Sequence, residues 1–465
     1  MNPNIFREYD IRGIADEDLT DEVVVILGRT LGTYMSSREC RRIVVGRDCR
    51  LSSSRLRDRL AEGLLSTGLD VIDIGVCPTP LLYFGLYRLN VDGGVMITGS
   101  HNPPEYNGLK ISLGQATIYG RQIQELRDLA GTGDFVQGAG QLEKQDLATQ
   151  YLEYLQEAFG RLENPPRVVV DCGNGTASDL APQIYRELGC DVTELFCRMD
   201  GRFPNHHPDP TIPENLQDLI RALKESKADL GIAFDGDADR IGAIDDKGHI
   251  IWGDQLLIVY SRDVLRDHPG ATIIGDVKSS KVLYDDIERQ GGRAIMWKAG
   301  HSLIKAKMKE EKAALAGEMS GHVFFADRFP GYDDALYAGA RLLEILSKTG
   351  RKLSEMLSDL PEMYSTPELR VDSPEEYKFE VVKQAQEYFG RHYETNTVDG
   401  VRIRFEDGWG LIRASNTQPA LVLRFEAESP RRLEEIRNLV EGKLNELRAK
   451  TEQEYSRRQV SQLRK

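Results

Sequence analysis

Three aspartates at alternate positions, Asp235, Asp237 and Asp239, follow the apolar run Leu230-Gly231-Ile232-Ala233-Phe234 and precede Arg240. Carboxylates at that spacing converge on one hard cation through oxygen, and left unneutralised they repel and raise each other's pKa. A calcium hand competes with this reading. Its glycine position holds Arg240, however, its closing glutamate position holds Asp246, and strands rather than helices flank the loop. A solvated acidic turn without metal is the other competitor. Three ligands leave coordination positions for water or a phosphate oxygen, the habit of Mg2+, and Arg240 can neutralise a second phosphate oxygen.

A second loop, Thr98-Gly99-Ser100-His101-Asn102-Pro103-Pro104, presents a hydroxyl after a strand on a proline-stiffened support, as a nucleophile requires. His101 and Lys110 add a proton acceptor and a cation. The alternative is a turn whose Ser, Asn and Gly only satisfy backbone groups, and there is no Gly-x-Ser-x-Gly elbow. In Gly317-Glu318-Met319-Ser320-Gly321-His322, an extended segment would place Glu318 and Ser320 on one side, suited to adjacent sugar hydroxyls; a cap or turn role competes. Arg413-Ala414-Ser415-Asn416-Thr417 offers a guanidinium fork, two hydroxyls and an amide, a combination for a phosphate dianion, against a plain polar turn. No Walker pattern exists. No two histidines show helical metal spacing, so histidine-bound zinc is not expected.

These loops recur at equivalent places in three repeats. Three β-branched runs end in aspartate: residues 43–48, 167–171 and 273–276. Each leads into a helical pattern (about 53–67, 178–188 and 281–290), a glycine turn and a second strand. Another helix (near 79–89, 214–225 and 302–311), a short strand and one of the first three polar loops follow. Alternating strand and helix implies right-handed crossovers and mixed, mostly parallel sheets, with ligands at the carboxyl ends of strands. The segment 131–140 reads as a linker, the turn 245–248 closes the second module, and 361–367 sets off a different C-terminal region. That region reads as a helix (374–389), strands at 399–405, 409–413 and 420–427, and a final helix. The last helix starts at Ser429-Pro430 and buries Leu433, Ile436, Leu439, Val440 and Leu444, with a frayed tail from Ser456. The expected architecture is therefore α/β: modules at 1–140, 141–248 and 249–362, then a smaller α+β domain at 363–465.

The 465 residues suffice for about three ordinary domains, so the fourth comes from the pattern and not from the length. A net charge of −14 argues against nucleic acid, and against anionic membrane surfaces. No apolar run reaches membrane-spanning length and no secretory signal is visible. Six scattered cysteines without a Cys-x-x-Cys pair point to reduced thiols and a cytoplasmic location.

Together the loops resemble the α-D-phosphohexomutase superfamily, in particular the bacterial phosphomannomutase/phosphoglucomutase group. Further matching segments are Phe6-Arg7-Glu8-Tyr9-Asp10-Ile11-Arg12-Gly13, Phe203-Pro204-Asn205-His206-His207-Pro208-Asp209-Pro210 and Gly300-His301-Ser302-Leu303-Ile304-Lys305. Gln418, where many relatives have Thr, and Cys49, where Gly is frequent, depart from the pattern. The resemblance implies a heart-shaped enzyme around a central cleft, its last domain like the TATA-box-binding protein. It implies phosphorylated Ser100 as donor and Mg2+ on Ser100, Asp235, Asp237 and Asp239. Glu318 and Ser320 would hold sugar hydroxyls, and Arg413, Ser415, Asn416 and Thr417 the non-reacting phosphate.

By the same resemblance, Arg12, His101, Lys110, Arg240, His301 and His322 are catalytic candidates, and Arg7, Tyr9 and Lys278 bind substrate. The implied reaction interconverts 1- and 6-phosphates of mannose and glucose through a hexose 1,6-bisphosphate, which also serves as primer. A fourth domain closing through Arg413 would keep water out. Met319 favours dual glucose and mannose specificity over phosphoglucosamine mutase; a serine-dependent phosphatase and a non-catalytic sugar-phosphate sensor are the readings from other classes. The chain is expected to be a monomer or weak dimer, with the basic side chains Arg7, Arg12, Lys110, Arg240, Lys278 and Arg413 gathered locally against the acidic whole.

Overall fold

A computed structural model describes residues 1–415 and 419–463, with side chains as far as residue 457. The chain forms two compact units. The first holds Met1–Ile274, Asp285–Ala294 and Gly300–Asp359; the second holds Gly275–Tyr284, Ile295–Ala299 and the chain from Leu360 onward.

Three sheets share one strand order, which is the strongest evidence for the repeat. In the first, Tyr106–Leu113, Gly93–Ile97, Arg42–Arg47 and Asp70–Val76 lie side by side. In the second the matching run is Ile241–Ile244, Leu230–Phe234, Arg167–Asp171 and Asp191–Leu195; in the third it is Val323–Phe325, Leu315–Gly317, Thr272–Asp276 and Arg293–Trp297. In the first two sheets three of these four strands are parallel, and the remaining one returns antiparallel. Each of the first three chemical loops is thus the connection into that returning strand.

The apolar runs form these strands because both their faces are covered. Ile43, Val44 and Val45 are wholly buried, as are Val168, Val169 and Val170, and continuous β-branched runs suit strands covered on both faces. Burying each such side chain stabilises by about 1.5–3 kcal/mol relative to exposure.

The helices match the expected positions closely: Ser53–Leu65, Thr79–Arg88, Lys281–Arg289 and His301–Glu311. Two begin later than expected. Pro182 and Pro213 mark the change, because each sits in the first turn of a helical segment that a proline can start but not continue backwards. The α-helix Ala181–Glu187 is preceded by a 3-10 turn at Thr176–Ser178, and Gln217–Ser226 by one at Pro213–Leu216.

The glycine-rich segment 131–140 is not a loose linker. Gly138 and Gly140 donate to Ser66 and Leu65 carbonyls, and Leu142–Lys144 adds a parallel strand to the first sheet beside Asp70–Val76. A Cβ on Gly140 would stand 1.9 Å from the Leu69 carbonyl oxygen, so only glycine lets the two backbones meet.

In the second unit, antiparallel strands Ala420–Ala427, Gly408–Ala414 and Val401–Phe405 carry helices Lys378–His392 and Pro430–Leu463 on one face. The first helix starts at Lys378 because Tyr377 and Lys378 N–H groups still bond back to Pro374, spending 374–377 on a turn. Along the last helix Ile436, Val440, Leu444 and Leu447 are buried, but Leu439 is 43% exposed. At about 100° per residue, Ile436, Val440, Leu444 and Leu447 share one narrow arc and Leu439 lies roughly 100° from its middle, which corrects the expected set. The weak periodicity after Ser456 does not stop this helix, which continues to Leu463. Among the described residues no helix is long and apolar enough to cross a membrane.

Candidate active site

Asp48 and Arg50 build the serine loop, although neither is among the site residues expected from the sequence. The Asp48 carboxylate accepts from Gly99 N (2.9 Å), Arg50 Nε (3.1 Å) and Ser53 Oγ. The wholly buried Arg50 side chain donates in turn to the carbonyls of Ser100 (2.8 Å), Asn102 (2.5 Å), Tyr106 (3.1 Å) and Pro103. One guanidinium fork therefore folds the loop around itself. Ser100, at φ +48°, sits in the left-handed region that costs a non-glycine residue energy, and its N–H donates to Thr98 Oγ1 (2.8 Å). The hydroxyl ends up 3.1 Å from His101 Nδ1 and donates to Asp235 Oδ2 at 3.0 Å.

Asp235, Asp237 and Asp239 are all buried, their oxygens within 4.8 Å of one another. Asp235 Oδ1 accepts the N–H groups of Asp239 and Arg240. Asp237 Oδ2 accepts from Thr79 Oγ1 (2.6 Å), Thr98 Oγ1 (3.1 Å) and Lys110 Nζ (2.8 Å), and Lys110 also bonds Asp239 Oδ2. Burial and then the charges of Asp239 and Asp237 push the Asp235 carboxyl well above its usual range. Burial acts the same way on Asp237, but the charge and hydrogen bond of Lys110 outweigh it and hold that carboxyl down.

Three carboxylates against Lys110 and Arg240 still leave a buried negative excess. Asp237 Oδ1 and Asp239 Oδ1 are buried with no hydrogen-bond partner among the described residues. Unsatisfied hard oxygens at such close range are what a divalent cation satisfies, so the donor set fits a metal.

Around this cluster the first unit gathers most of the expected catalytic groups. Arg12, on the edge strand Ile11–Ile14, donates to Gly99 O (2.7 Å) and Asn102 Oδ1 (2.8 Å) and pairs with Asp10. His101 is held well below its ordinary value by burial and by the positive charges of Arg240 and Arg12. Arg240 Nε donates to His322 Nε2 at 3.0 Å, which assigns the His322 proton to Nδ1. That nitrogen lies 3.2 Å from Asp333 Oδ2 and 3.7 Å from Asp239 Oδ1. His301 stacks on His322, its ring beside Tyr9; burial and then Lys305 keep it well below its usual value. Arg7 opens a turn by donating its N–H to the Asp10 carbonyl.

Asp333 went unnoticed in the sequence. It is buried, 2.9 Å from Lys305 Nζ and 3.6 Å from His301 Nδ1 as well as next to His322. With Asp239 and His322 it forms a second cluster of ligand-type atoms. Nothing in the tripeptide Tyr332-Asp333-Asp334 marks it from neighbouring acids; only the convergence of three cationic or protonatable side chains does.

The Glu318 loop departs from expectation. Gly321 N donates to Glu318 O (3.0 Å), making a turn in place of an extended segment, so two-residue alternation does not set the direction of Ser320. Gly321 at φ +94° is what closes that turn. The Glu318 carboxylate, buried, accepts Gly300 N at 2.7 Å, and Ser320 is half-buried.

In the second unit Arg413, on Gly408–Ala414, is largely buried and pairs with Asp399 at 3.0 Å, while Asp399 also accepts Ala299 N. Ser415 N donates to Ala420 O and its carbonyl accepts from Lys378. Lys278 pairs with Glu368 at 3.2 Å, whose carboxyl is held down to about 2 chiefly by the Lys278 charge. Asn416, Thr417 and Gln418 lie outside the described residues. Arg12, Lys110, Lys278 and Arg413 thus each bring an acidic neighbour. Buried cations need counter-charges to be tolerated at all.

Four family models cover this arrangement: phosphoglucomutase/phosphomannomutase alpha/beta/alpha domain I at 3–137, domain II at 149–248, domain III at 252–364 and the C-terminal domain at 368–443. The chain belongs to the phosphoglucomutase/phosphomannomutase family. It is 47% identical over 443 residues to a phosphomannomutase/phosphoglucomutase of Pseudomonas aeruginosa, covering 95% of both chains. A phosphoglucomutase of Neisseria gonorrhoeae is 47% identical over 440 residues, 94% of this chain and 95% of that one. Among solved structures, a phosphoglucomutase/phosphomannomutase family protein of Burkholderia thailandensis superposes with a TM-score of 0.89 at 44% identity, covering 94% of this chain and 96% of that one. Family membership agrees with three repeated α/β sheets, each offering one polar loop, followed by a separate antiparallel domain.

Proposed function

We propose that this chain is a phosphohexomutase that moves a phosphoryl group reversibly between C1 and C6 of mannose and glucose phosphates. Its reaction passes through phosphorylated Ser100 and a hexose 1,6-bisphosphate. The observation that carries this reading is the 3.0 Å hydrogen bond from Ser100 Oγ to Asp235, at the edge of a buried oxygen cluster with two unsatisfied acceptors. A phosphoryl group on that hydroxyl would lie beside the cluster. Mg2+ held by Ser100, Asp235, Asp237 and Asp239 would supply the charge that stabilises phosphoryl oxygens during transfer.

The chain's own groups do the rest. The 6-hydroxyl of a bound 1-phosphate attacks phosphorus; the new P–O bond forms as the bond to Ser100 Oγ breaks, and Oγ regains a proton. His101, at 3.1 Å from Oγ, and Lys110, behind the carboxylates, are in place for that proton and its charge. His301 and His322, oriented by Asp333, are the groups in reach for the sugar hydroxyl proton. Arg12 and Arg240 bring positive charge to the transferred group. After the bisphosphate reverses end for end, its 1-phosphate returns to Ser100.

Glu318 and Ser320 would bind the 3- and 4-hydroxyls. Glucose and mannose share these and differ only at C2, so little differential contact separates them. Arg413, set by Asp399, would hold the non-reacting phosphate with Ser415, Asn416 and Thr417; Arg7, Tyr9 and Lys278 would support the sugar. In this reading the domains run 1–140, 141–248, 249–362 and 363–465, one loop from each, and the enzyme works in the cytoplasm, where permanent structural disulfides are rare.

Phosphorus NMR of glucose 1-phosphate and of mannose 1-phosphate, with Mg2+ and a trace of hexose 1,6-bisphosphate, tests the proposal. Conversion of both to 6-phosphates supports it. Release of inorganic phosphate alone, without primer, would identify a phosphatase instead.

A further inference from the structure

Two thiols in the second α/β sheet stand apart from the phosphoryl chemistry. Cys172 follows the strand Arg167–Asp171, and Cys197 follows its parallel neighbour Asp191–Leu195, with Asp171 opposite Leu195 and Cys172 N donating to Leu195 O. Phe196, between strand and cysteine, adopts φ +52°, an expensive conformation for a phenylalanine. This turn carries Cys197 back over Cys172, bringing the two sulfurs to 2.9 Å. Both are free thiols, Cys172 buried and Cys197 partly exposed.

We propose that Cys172 and Cys197 are a reversible redox site, closed to an intramolecular disulfide by a peroxide. From 2.9 Å the sulfurs need to approach by only about 0.9 Å to reach the covalent distance of about 2.05 Å. The roles divide by exposure. Cys197 meets the oxidant: its thiolate sulfur attacks one peroxide oxygen, an S–O bond forms, the O–O bond breaks, and the departing hydroxide becomes water. The Cys172 sulfur then attacks the Cys197 sulfenic acid; the S–S bond forms, the S–O bond breaks, and hydroxide leaves as water with the Cys172 proton. Two electrons pass from two thiols to one peroxide, giving two waters. Burial pushes the thiols of Cys49, Cys77 and Cys190 up to about 12 and raises those of Cys40 and Cys172 too, which leaves the partly exposed Cys197 to meet the oxidant.

The site is wired to the metal loop. The strap that begins at Cys172 places Thr176 N 3.0 Å and Thr176 Oγ1 3.2 Å from the carbonyl oxygen of Gly236, between Asp235 and Asp237. A Cβ on Gly175 would lie 2.8 Å from that same oxygen, so strap and loop have no slack between them. A disulfide at the head of the strap therefore stiffens the metal loop.

The test treats the full-length protein with hydrogen peroxide at about one equivalent, quenches it, alkylates under denaturing conditions and maps peptides by mass. Loss of two of the six thiols, a linked Cys172–Cys197 peptide, and recovery with dithiothreitol are expected. Six alkylated thiols, or Cys197 carried to the sulfinic acid without a link, would overturn the proposal. Cys197→Ala should lose the link while the other five thiols stay alkylatable; the same two-thiol loss in that variant also overturns it. Hydrogen–deuterium exchange on the linked wild type should slow at 172–176 and at 235–240. Unchanged exchange at 235–240 in a fully linked sample refutes the wiring. None of these readouts uses mutase turnover, so they stand or fall independently of the proposed function.

Discussion

Replacing Arg50 by lysine isolates what holds the serine loop in place. The guanidinium makes four hydrogen bonds to the carbonyls of Ser100, Asn102, Pro103 and Tyr106 while pairing with Asp48. Its side chain has no solvent exposure, so there is no screening to discount. A lysine keeps the charge and the Asp48 pair but has three donors on one atom and no planar fork. It can keep at most about two of the four carbonyls. Charge-assisted bonds are worth about 1.5–3 kcal/mol each, and partners that share one donor group are not additive. The expected cost is about 3 kcal/mol, felt mainly as opening of the loop. At 1.4 kcal/mol per factor of ten that is a population change of about 150-fold.

Native-state hydrogen exchange at residues 99–106 reads this opening, and intact-mass kinetics of Ser100 phosphorylation by a hexose 1,6-bisphosphate reads its consequence. Both should change by about two orders of magnitude, with the urea midpoint moving less. Gly99→Ala should reproduce the effect from the other side, because its Cβ would stand 2.3 Å from Arg50 Nε. Arg50→Met strands the buried Asp48 carboxylate and should cost global stability as well, about 3–5 kcal/mol. Arg50→Lys with exchange and phosphorylation within two-fold of wild type would refute the reasoning.

Three further outcomes follow from other parts of the site. Asp239→Asn leaves the cluster one charge short and should weaken Mg2+ or Mn2+ binding, measured by titration calorimetry, by about tenfold or more; unchanged affinity would place the metal elsewhere. Arg413→Ala should raise KM for both 1-phosphates about tenfold and increase leakage to free phosphate while Ser100 still accepts a phosphoryl group; unchanged KM and coupling count against the phosphate role. His206 is raised above its ordinary value: burial opposes its charge, but the hydrogen bond and charge of Asp171 outweigh burial. A raised folded value means the pair stabilises fully below the unfolded value of about 6.5 and loses that contribution as pH rises through the folded one. The stability difference between wild type and His206→Gln, from urea unfolding, should therefore shrink between mildly acidic and alkaline pH. A difference that grows with pH contradicts the assignment.

The legible features were those written in short stretches. The Asp235–Asp239 spacing announced the buried acidic cluster because five residues after a strand end set their own geometry, and the β-branched runs announced the sheets because two-sided burial demands continuous apolar side chains. The Glu318 loop departs from strand alternation for a local reason too: Gly321, at φ +94°, closes a turn there. Leu439 shows the reverse case, an apolar residue with no core to meet because it lies beside the stripe that reaches the sheet.

By itself the sequence determined the threefold repeat, the four chemical loops and the family. Each rests on residue types in contiguous segments whose periodicity and turn chemistry are local properties. Tertiary structure alone decided which charges sit together. Lys110 reaches Asp237 across 127 positions and Thr79 reaches it across 158; Arg50 wraps a loop half a hundred residues away, and Asp333 collects Lys305 and two histidines. A buried ion is stable only beside a counter-charge or a full set of hydrogen bonds, and no local pattern states which distant residue packing will bring to it. That is why the serine loop and the acidic cluster were readable in the sequence, and the groups that position them were found only in the fold.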